Sequence, residues 1–268
     1  MNYSEFVGLI DERNRPSGGI KSVHTVSINS QLNPSKKVLE IGSNTGFTSV
    51  NLSLLTGCKV VGIDSNMPSI AKAGRYAKEH GVDQDVSFMN ADACDLPFEE
   101  SYFDMIWCSN VTSFISDKKK AVSEYMRVLK PGGILVFIPI YYIDNPPQVI
   151  LNNVSDAIGA TIDMQGKKHW TELIDKTSKM ERVAMELFFD EDYRYFDAES
   201  DIAGYINTLM MKDEVLQLGE KEQSTVKERA EYFYKLFNEN LQYVGYSILL
   251  YQKRRMKDEV ELFLSKKV

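Results

Sequence analysis

Glu40, Gly42, Asn44 and Gly46 stand at alternate positions in "VLEIGSNTGFTS", residues 38 to 49, where an apolar run meets a small-residue turn and then a helical pattern. Glycines at 42 and 46 let the backbone bend sharply and approach a ligand, and the helix that follows points its free N–H groups at the same spot. Such a turn suits an anion or a carboxylate. A dinucleotide fingerprint would need glycine at 44 and 47 as well, where this chain has Asn44 and Phe47. Asparagine tolerates the left-handed backbone conformation best after glycine, so Asn44 departs from that pattern at little cost. Two further acids end apolar runs. Asp64, followed by Ser65, closes "VVGIDSN", where a carboxylate can accept hydrogen bonds from both hydroxyls of a ribose. Asp92, followed by Ala93, lies in "MNADACDLPF", where the carboxylate or the backbone beside it can reach an adenine edge.

The elements that must position these residues alternate. β-branched runs at "KKVLEIG", "KVVGID", "VSFMNAD", "FDMIWCSN" and "ILVFIPI" are separated by helical patterns, among them "PSIAKAGRYAKEHG" and "DKKKAVSEYMRVLK". Strands separated by helices predict an α/β fold, a doubly wound, mostly parallel Rossmann-like sheet with helices on both faces. Open sheets of this kind bind ligands at the carboxyl rim, so Glu40, Asp64 and Asp92 are expected together. Residues 1–36 read as a helical lead-in or lid, with "RPSGGIKS" as a flexible turn; residues 37–140 as the binding core. Residues 141–268 are expected to complete the sheet and to supply a helical substrate cover, with "QYVGYSILLYQKR" as one strand and "PGG" at 131–133 stopping a helix before its strand.

Composition narrows the function. The 268 residues are 43% hydrophobic, enough for a substantial core, and the formal charge of −7 argues against a nucleic-acid partner, which usually needs a basic footprint. No apolar run is long enough to span a bilayer and "MNYSEFVGLIDERNR" has no signal-peptide character, so the reading is cytoplasmic with no membrane partner. Three cysteines without CxxC spacing and three scattered histidines suggest no metal site.

The ordered set "VLEIGSNTG", "VVGIDSN", "NADACDLPFEESYFDMIWCSN" and "EYMRVLKPGGIL" resembles the class I S-adenosylmethionine-dependent methyltransferases, in particular the small-molecule enzymes of the ubiquinone-biosynthesis type. The resemblance implies S-adenosylmethionine as cofactor. It places Gly42 and Gly46 at the amino-acid end, Glu40 and Asn44 in the same turn, Asp64 and Ser65 at the ribose, Asp92 and Ala93 at the adenine, and Asn110 on the rim beside the sulfonium. "RPSGGIKSVHTVSI" is similar to a segment that closes over the cofactor in relatives, which brings Gly18, Gly19 and His24 towards the site.

Methyl transfer from a sulfonium is an in-line displacement, so alignment supplies most of the advantage, and a base is needed only for a hydroxyl, protonated amine or acidic carbon. Relatives often carry a histidine pair after the fourth strand; "SNVTSFISD" has none. His24, His169, Tyr141 and Tyr142 are the remaining catalytic candidates. The aromatic and methionine-rich stretches "HWTEL", "INTLMMKDEV" and "AEYFYKLF" suit an apolar pocket for a small-molecule acceptor, while "FFDEDYRYFDAESD" could receive a cationic amine or form a solvated hairpin. Three readings stay open: a methyltransferase acting on O, N or C of a metabolite or natural-product intermediate, an RNA or protein methyltransferase, and a cofactor-binding module without transferase activity.

Overall fold

The computed structural model describes residues 3–10, 13–159, 161–162, 164–178, 191–192 and 199–253. Five parallel strands and their helices follow from the alternation in the chain. Strand β1 (Lys37–Ile41) leads to α3 (Phe47–Thr56), β2 (Lys59–Asp64) to α4 (Met67–Glu79), β3 (Val86–Asn90) lies at the edge, and β4 (Phe103–Ser109) leads through a 3₁₀ turn (Val111–Phe114) to α5 (Lys118–Val128) and β5 (Leu129–Ile138). The strand order is β3-β2-β1-β4-β5-β9, parallel except for β9 (Leu249–Gln252), which pairs antiparallel with β5.

Local chemistry fixes the ends of these elements. Asn66 caps α4 by accepting from the Ser69 N–H at 3.1 Å, with Pro68 in the first turn where its missing N–H costs nothing. Asp117 caps α5 through the Lys120 N–H at 2.9 Å, which offsets the three lysines at that helix start. Asp104 ties the starts of two strands together, accepting from the Lys37 N–H at 3.0 Å and the Lys130 ammonium at 2.9 Å; these partners hold its carboxyl below the usual range although partial burial opposes them.

Both faces of the sheet are covered. Leu39, Ile41, Ile106 and Phe137 pack against α5 residues Ala121, Val122 and Tyr125 on one face. On the other face Val38, Val60, Met105 and Trp107 pack against Phe47, Val50 and Leu52 of α3 and Val23 and Val26 of α2 (Gly19–Asn29). Full burial of side chains of this size contributes roughly 1.5–3 kcal/mol each. A separate helical cluster joins α1 (Tyr3–Leu9) to α6 (Gln148–Ile158), α8 (Glu199–Met210), α9 (Asp213–Leu216) and α10 (Glu220–Leu241), around Phe6, Ile206, Phe233 and Leu236. Helix α7 (Lys167–Ser178) instead sends Trp170 and Ile174 into the sheet core.

Three local expectations are corrected. Pro131, Gly132 and Gly133 do not precede β5 but lie within it, at a register shift opposite Phe103 and Met105; proline has no N–H to pair there, and a Cβ on Gly133 would come within 2.9 Å of the Asp104 carbonyl. The terminal strand divides: β8 (Val244–Tyr246) joins a small sheet with β6 (Ile140–Tyr142) and β7 (Glu191–Asp192), and the chain then changes sheets at Ser247 to become β9. The glycine pair at 18 and 19 is no loose turn. Gly18 is the left-handed cap of α2 at φ 75°, and a Cβ there would sit 2.5 Å from the Tyr246 hydroxyl. Among the described residues no helix is long and apolar enough to cross a membrane.

Candidate active site

The turn after β1 needs glycine at two positions for two reasons each. Gly42 has φ 72° and Gly46 φ 85°, both in the left-handed region. A Cβ on Gly42 would lie 2.7 Å from Val111 Cγ2, and one on Gly46 2.8 Å from Phe88 Cζ. The Gly42 and Ser43 N–H groups donate to the Ile63 carbonyl at 2.9 Å each, clamping the turn to the end of β2.

Asn44, at φ 44°, contributes through its backbone. Its N–H donates to Asp64 Oδ2 at 2.9 Å, while the Asn66 N–H donates to Asp64 Oδ1 at 2.9 Å. Each carboxylate oxygen can accept two hydrogen bonds, so each keeps one further site. Asp64 is half-buried on the wall of a cleft of about 440 Å³. The same cleft is lined by Gly42, Ser65, Asn90, Asp92 and Ala93 on its polar side and by Ile41, Ile63, Val111 and Ile115 on its apolar side. Asn90 donates to the Asp64 carbonyl at 2.8 Å, and Asp92 accepts from the Cys94 N–H at 2.8 Å.

Glu40 is placed differently from the other acids. It is buried and does not line the cleft; it accepts from the Ser49 N–H at 2.9 Å and from the Ser49 hydroxyl, capping the start of α3 from behind. Burial pushes its carboxyl up to about 7 against the opposing pull of those hydrogen bonds.

A strap from the N-terminal segment crosses the same turn. Asn14 donates its N–H to Thr45 Oγ1 at 3.3 Å, and the Arg15 guanidinium lies 5.3 Å from the Phe47 ring centroid. Ser17 and Asn110 pair side chain to side chain at 3.0 and 3.2 Å. Asn110 has φ 61° and follows β4 directly, so the strap is fastened to the carboxyl rim of the sheet. Gly18 and Gly19 start the helix behind that link and line no part of the cleft, and His24 is exposed on α2.

Beyond Asn110 a second, much smaller cavity of about 10 Å³ is lined by Asn110, Thr112, Ser113, Phe137, Pro139, Ile140 and Trp170. Tyr141, Tyr142 and His169 line neither this cavity nor the cleft. The Tyr141 hydroxyl pairs with Ser247 Oγ at 2.7 Å, and the Tyr142 hydroxyl donates to Asn240 Oδ1 at 3.1 Å. Burial pushes the Tyr142 hydroxyl up. His169 packs against the edge of Trp170 at 5.1 Å between centroids, with Nε2 buried and without a hydrogen-bond partner among the described residues. Residues 188–190 and 193–198 of the acidic run lie outside the described residues. Among the described residues no three His, Cys, Asp or Glu side chains gather as a metal site.

Val111, Ile115, Asn90 and Trp170 are among the lining residues that the motifs do not single out. Asn90 ends its strand as Asp64 ends its own, which is a readable signal. The other three are apolar residues whose place on a wall is decided by how the 3₁₀ turn and α7 dock.

Residues 39–137 match the family model described as "Methyltransferase domain". The chain is 34% identical over 160 residues to an uncharacterized protein of Haemophilus influenzae, covering 59% of this chain and 63% of that one. It is 27% identical over 183 residues to a sterol 24-C-methyltransferase of Debaryomyces hansenii, covering 68% of this chain and 48% of that one. It thus spans less than two thirds of these curated relatives. Its fold is similar to a solved phosphoethanolamine N-methyltransferase 2 of Haemonchus contortus in complex with S-adenosyl-L-methionine, at TM-score 0.66 and 15% identity, over 94% of this chain and 56% of that one. The stretch that matches this family model is the one that forms the parallel sheet, with its glycine turn at the end of β1 and its acid at the end of β2, and the fold around it is shared with that solved structure.

Proposed function

We propose that the protein transfers the methyl group of S-adenosylmethionine to an oxygen, nitrogen or carbon atom of a small-molecule acceptor. The observation that carries the reading is Asp64, held by two backbone N–H groups at the cleft wall with one accepting site left on each carboxylate oxygen. That arrangement suits a vicinal diol such as a ribose. The glycine turn, where no Cβ fits, supports placing the amino-acid end of the cofactor against Gly42, Asn44 and Gly46. Ser65 flanks the ribose, and Asp92 and Ala93 the adenine, with Ile63, Val111 and Ile115 as apolar walls. Glu40 serves the turn from behind, by holding the start of α3.

Bound there, the cofactor supplies an activated methyl group on a cationic sulfur. The residues of this chain align and exclude water: Asn110 sits at the rim between the cleft and the small cavity, and the strap anchored at Ser17 covers the turn. None of His24, Tyr141, Tyr142 and His169 lines the cleft or the small cavity; the two tyrosine hydroxyls are engaged, and His169, beside the cavity-lining Trp170, is the remaining candidate for a base.

Calorimetry with S-adenosylmethionine, followed by transfer of a tritiated methyl group into a metabolite extract, tests the reading. Binding with label entering a small molecule is the expected result. Binding with label entering only RNA or protein, or no transfer at all, would overturn it.

A further inference from the structure

The small cavity beyond Asn110 differs chemically from the cleft. None of its lining side chains is charged. Its polar side chains are spoken for: Asn110 by Ser17, Thr112 by Cys108 Sγ at 2.9 Å, and Ser113 by the Asn110 carbonyl. The exception is Trp170. Trp170 lines the cavity with Phe137, their ring centroids 6.1 Å apart, and the residue is 2% exposed; its Nε1 is fully buried and has no hydrogen-bond partner among the described residues. A buried indole N–H without an acceptor is costly, on the order of 1–3 kcal/mol, and tryptophan N–H groups usually find a partner. Trp107 Nε1 is also unpaired, but it lies inside β4 and lines neither cavity.

The 3₁₀ turn places the two spaces back to back. Val111 and Ile115 line the cleft, whereas Asn110, Thr112 and Ser113 line the small cavity. At about 10 Å³ the cavity is near the least volume that takes one water-sized group. A neutral donor, uncharged walls whose other polar groups are already paired, and room for one atom are complementary to an uncharged oxygen, while an ammonium or carboxylate would lose its hydration there without a counter-charge.

We propose that this cavity is the inner end of the acceptor site and that the Trp170 indole N–H is a specificity-determining donor, selecting an uncharged acceptor that presents a carbonyl or hydroxyl oxygen. The proposal rests on the methyl-transfer reading for the word acceptor. The pocket chemistry stands on the residues themselves.

The test uses the full chain, ¹⁵N-labelled, with and without S-adenosylhomocysteine. Its two tryptophans give two indole N–H signals, and contacts to the Phe137 ring assign that of Trp170 without any substitution. Benzamide, acetophenone and phenol are the uncharged probes; benzoate and benzylamine are the charged ones. The expected result is a saturable shift of the Trp170 signal with at least one uncharged probe and none with the charged probes. Trp170→Phe should weaken that probe about tenfold while leaving S-adenosylhomocysteine affinity unchanged. A Trp170 signal unmoved by every uncharged probe, which is the result for a cavity that holds only a buried water, or one moved equally by the charged probes, would overturn the proposal. Failure of S-adenosylhomocysteine to bind would instead strike the cofactor reading, and the probe titration without it still reports on the pocket.

Discussion

The backbone N–H of Asn44 donates to Asp64 Oδ2 at 2.9 Å, joining the turn after β1 to the acid at the end of β2. With the Asn66 N–H on the other oxygen, the carboxylate is fixed before any ligand arrives. Asp64→Asn would set an amide NH₂ against one of these N–H groups and remove the charge. Affinity for S-adenosylmethionine is expected to fall roughly 100-fold, read by calorimetry, since each hydrogen bond to a charged group is worth about 1.5–3 kcal/mol. A change below about threefold would mean that Asp64 does not touch the cofactor.

Because Asn44 acts through its backbone, glycine at that position keeps the same hydrogen bond and adopts φ 44° without strain. Asn44→Gly is expected to hold cofactor affinity within about tenfold, roughly 1.4 kcal/mol. A larger loss in the same titration would show that the side-chain amide is itself a ligand.

Glu40 gives a pH dependence of stability. Its carboxyl, at 4.5 when unfolded, rises to about 7 in the fold, so the folded state binds the proton more tightly. Between those two values the native protein holds more protons than the unfolded chain, and stability falls as pH rises, at most by about 1.4 kcal/mol per pH unit from this group. Glu40→Gln keeps an acceptor for the Ser49 N–H and removes the charge. Denaturant unfolding at pH 5 and pH 8 should show a smaller loss for the variant than for the wild type; equal losses would place the titration elsewhere.

Asn110 carries both the link to Ser17 and a left-handed backbone at φ 61°. Asn110→Ala and Asn110→Gly both break the link, but alanine also pays for the conformation. The alanine variant is expected to be about 1 kcal/mol less stable than the glycine variant in urea unfolding. Equal stabilities would show that the turn relaxes when the link is lost.

How much of this protein is legible in its sequence follows from the range of the forces involved. The parallel core could be read along the chain because β-branched runs, helical periods, and Gly42 and Gly46 in the turn are local devices, each acting within a few residues. The rim position of Asp64 is legible for the same reason, since the residue ends its own parallel strand. What the tertiary structure decided are the contacts between distant segments. Glu40 shares its strand with the turn yet serves α3 from inside, because the alternation of side chains across β1 and the docking of α3 choose its direction. The division of the last strand at Ser247 depends on which sheet edge each half meets. Trp170 reads in sequence as one aromatic among many; only the packing of α7 against Phe137 and the 3₁₀ turn leaves its N–H buried without a partner beside a cavity. Periodicity says that a side chain faces inward. It does not say what it meets there, which is a property of segments brought together from more than a hundred residues apart, as Ser247 is from Tyr141.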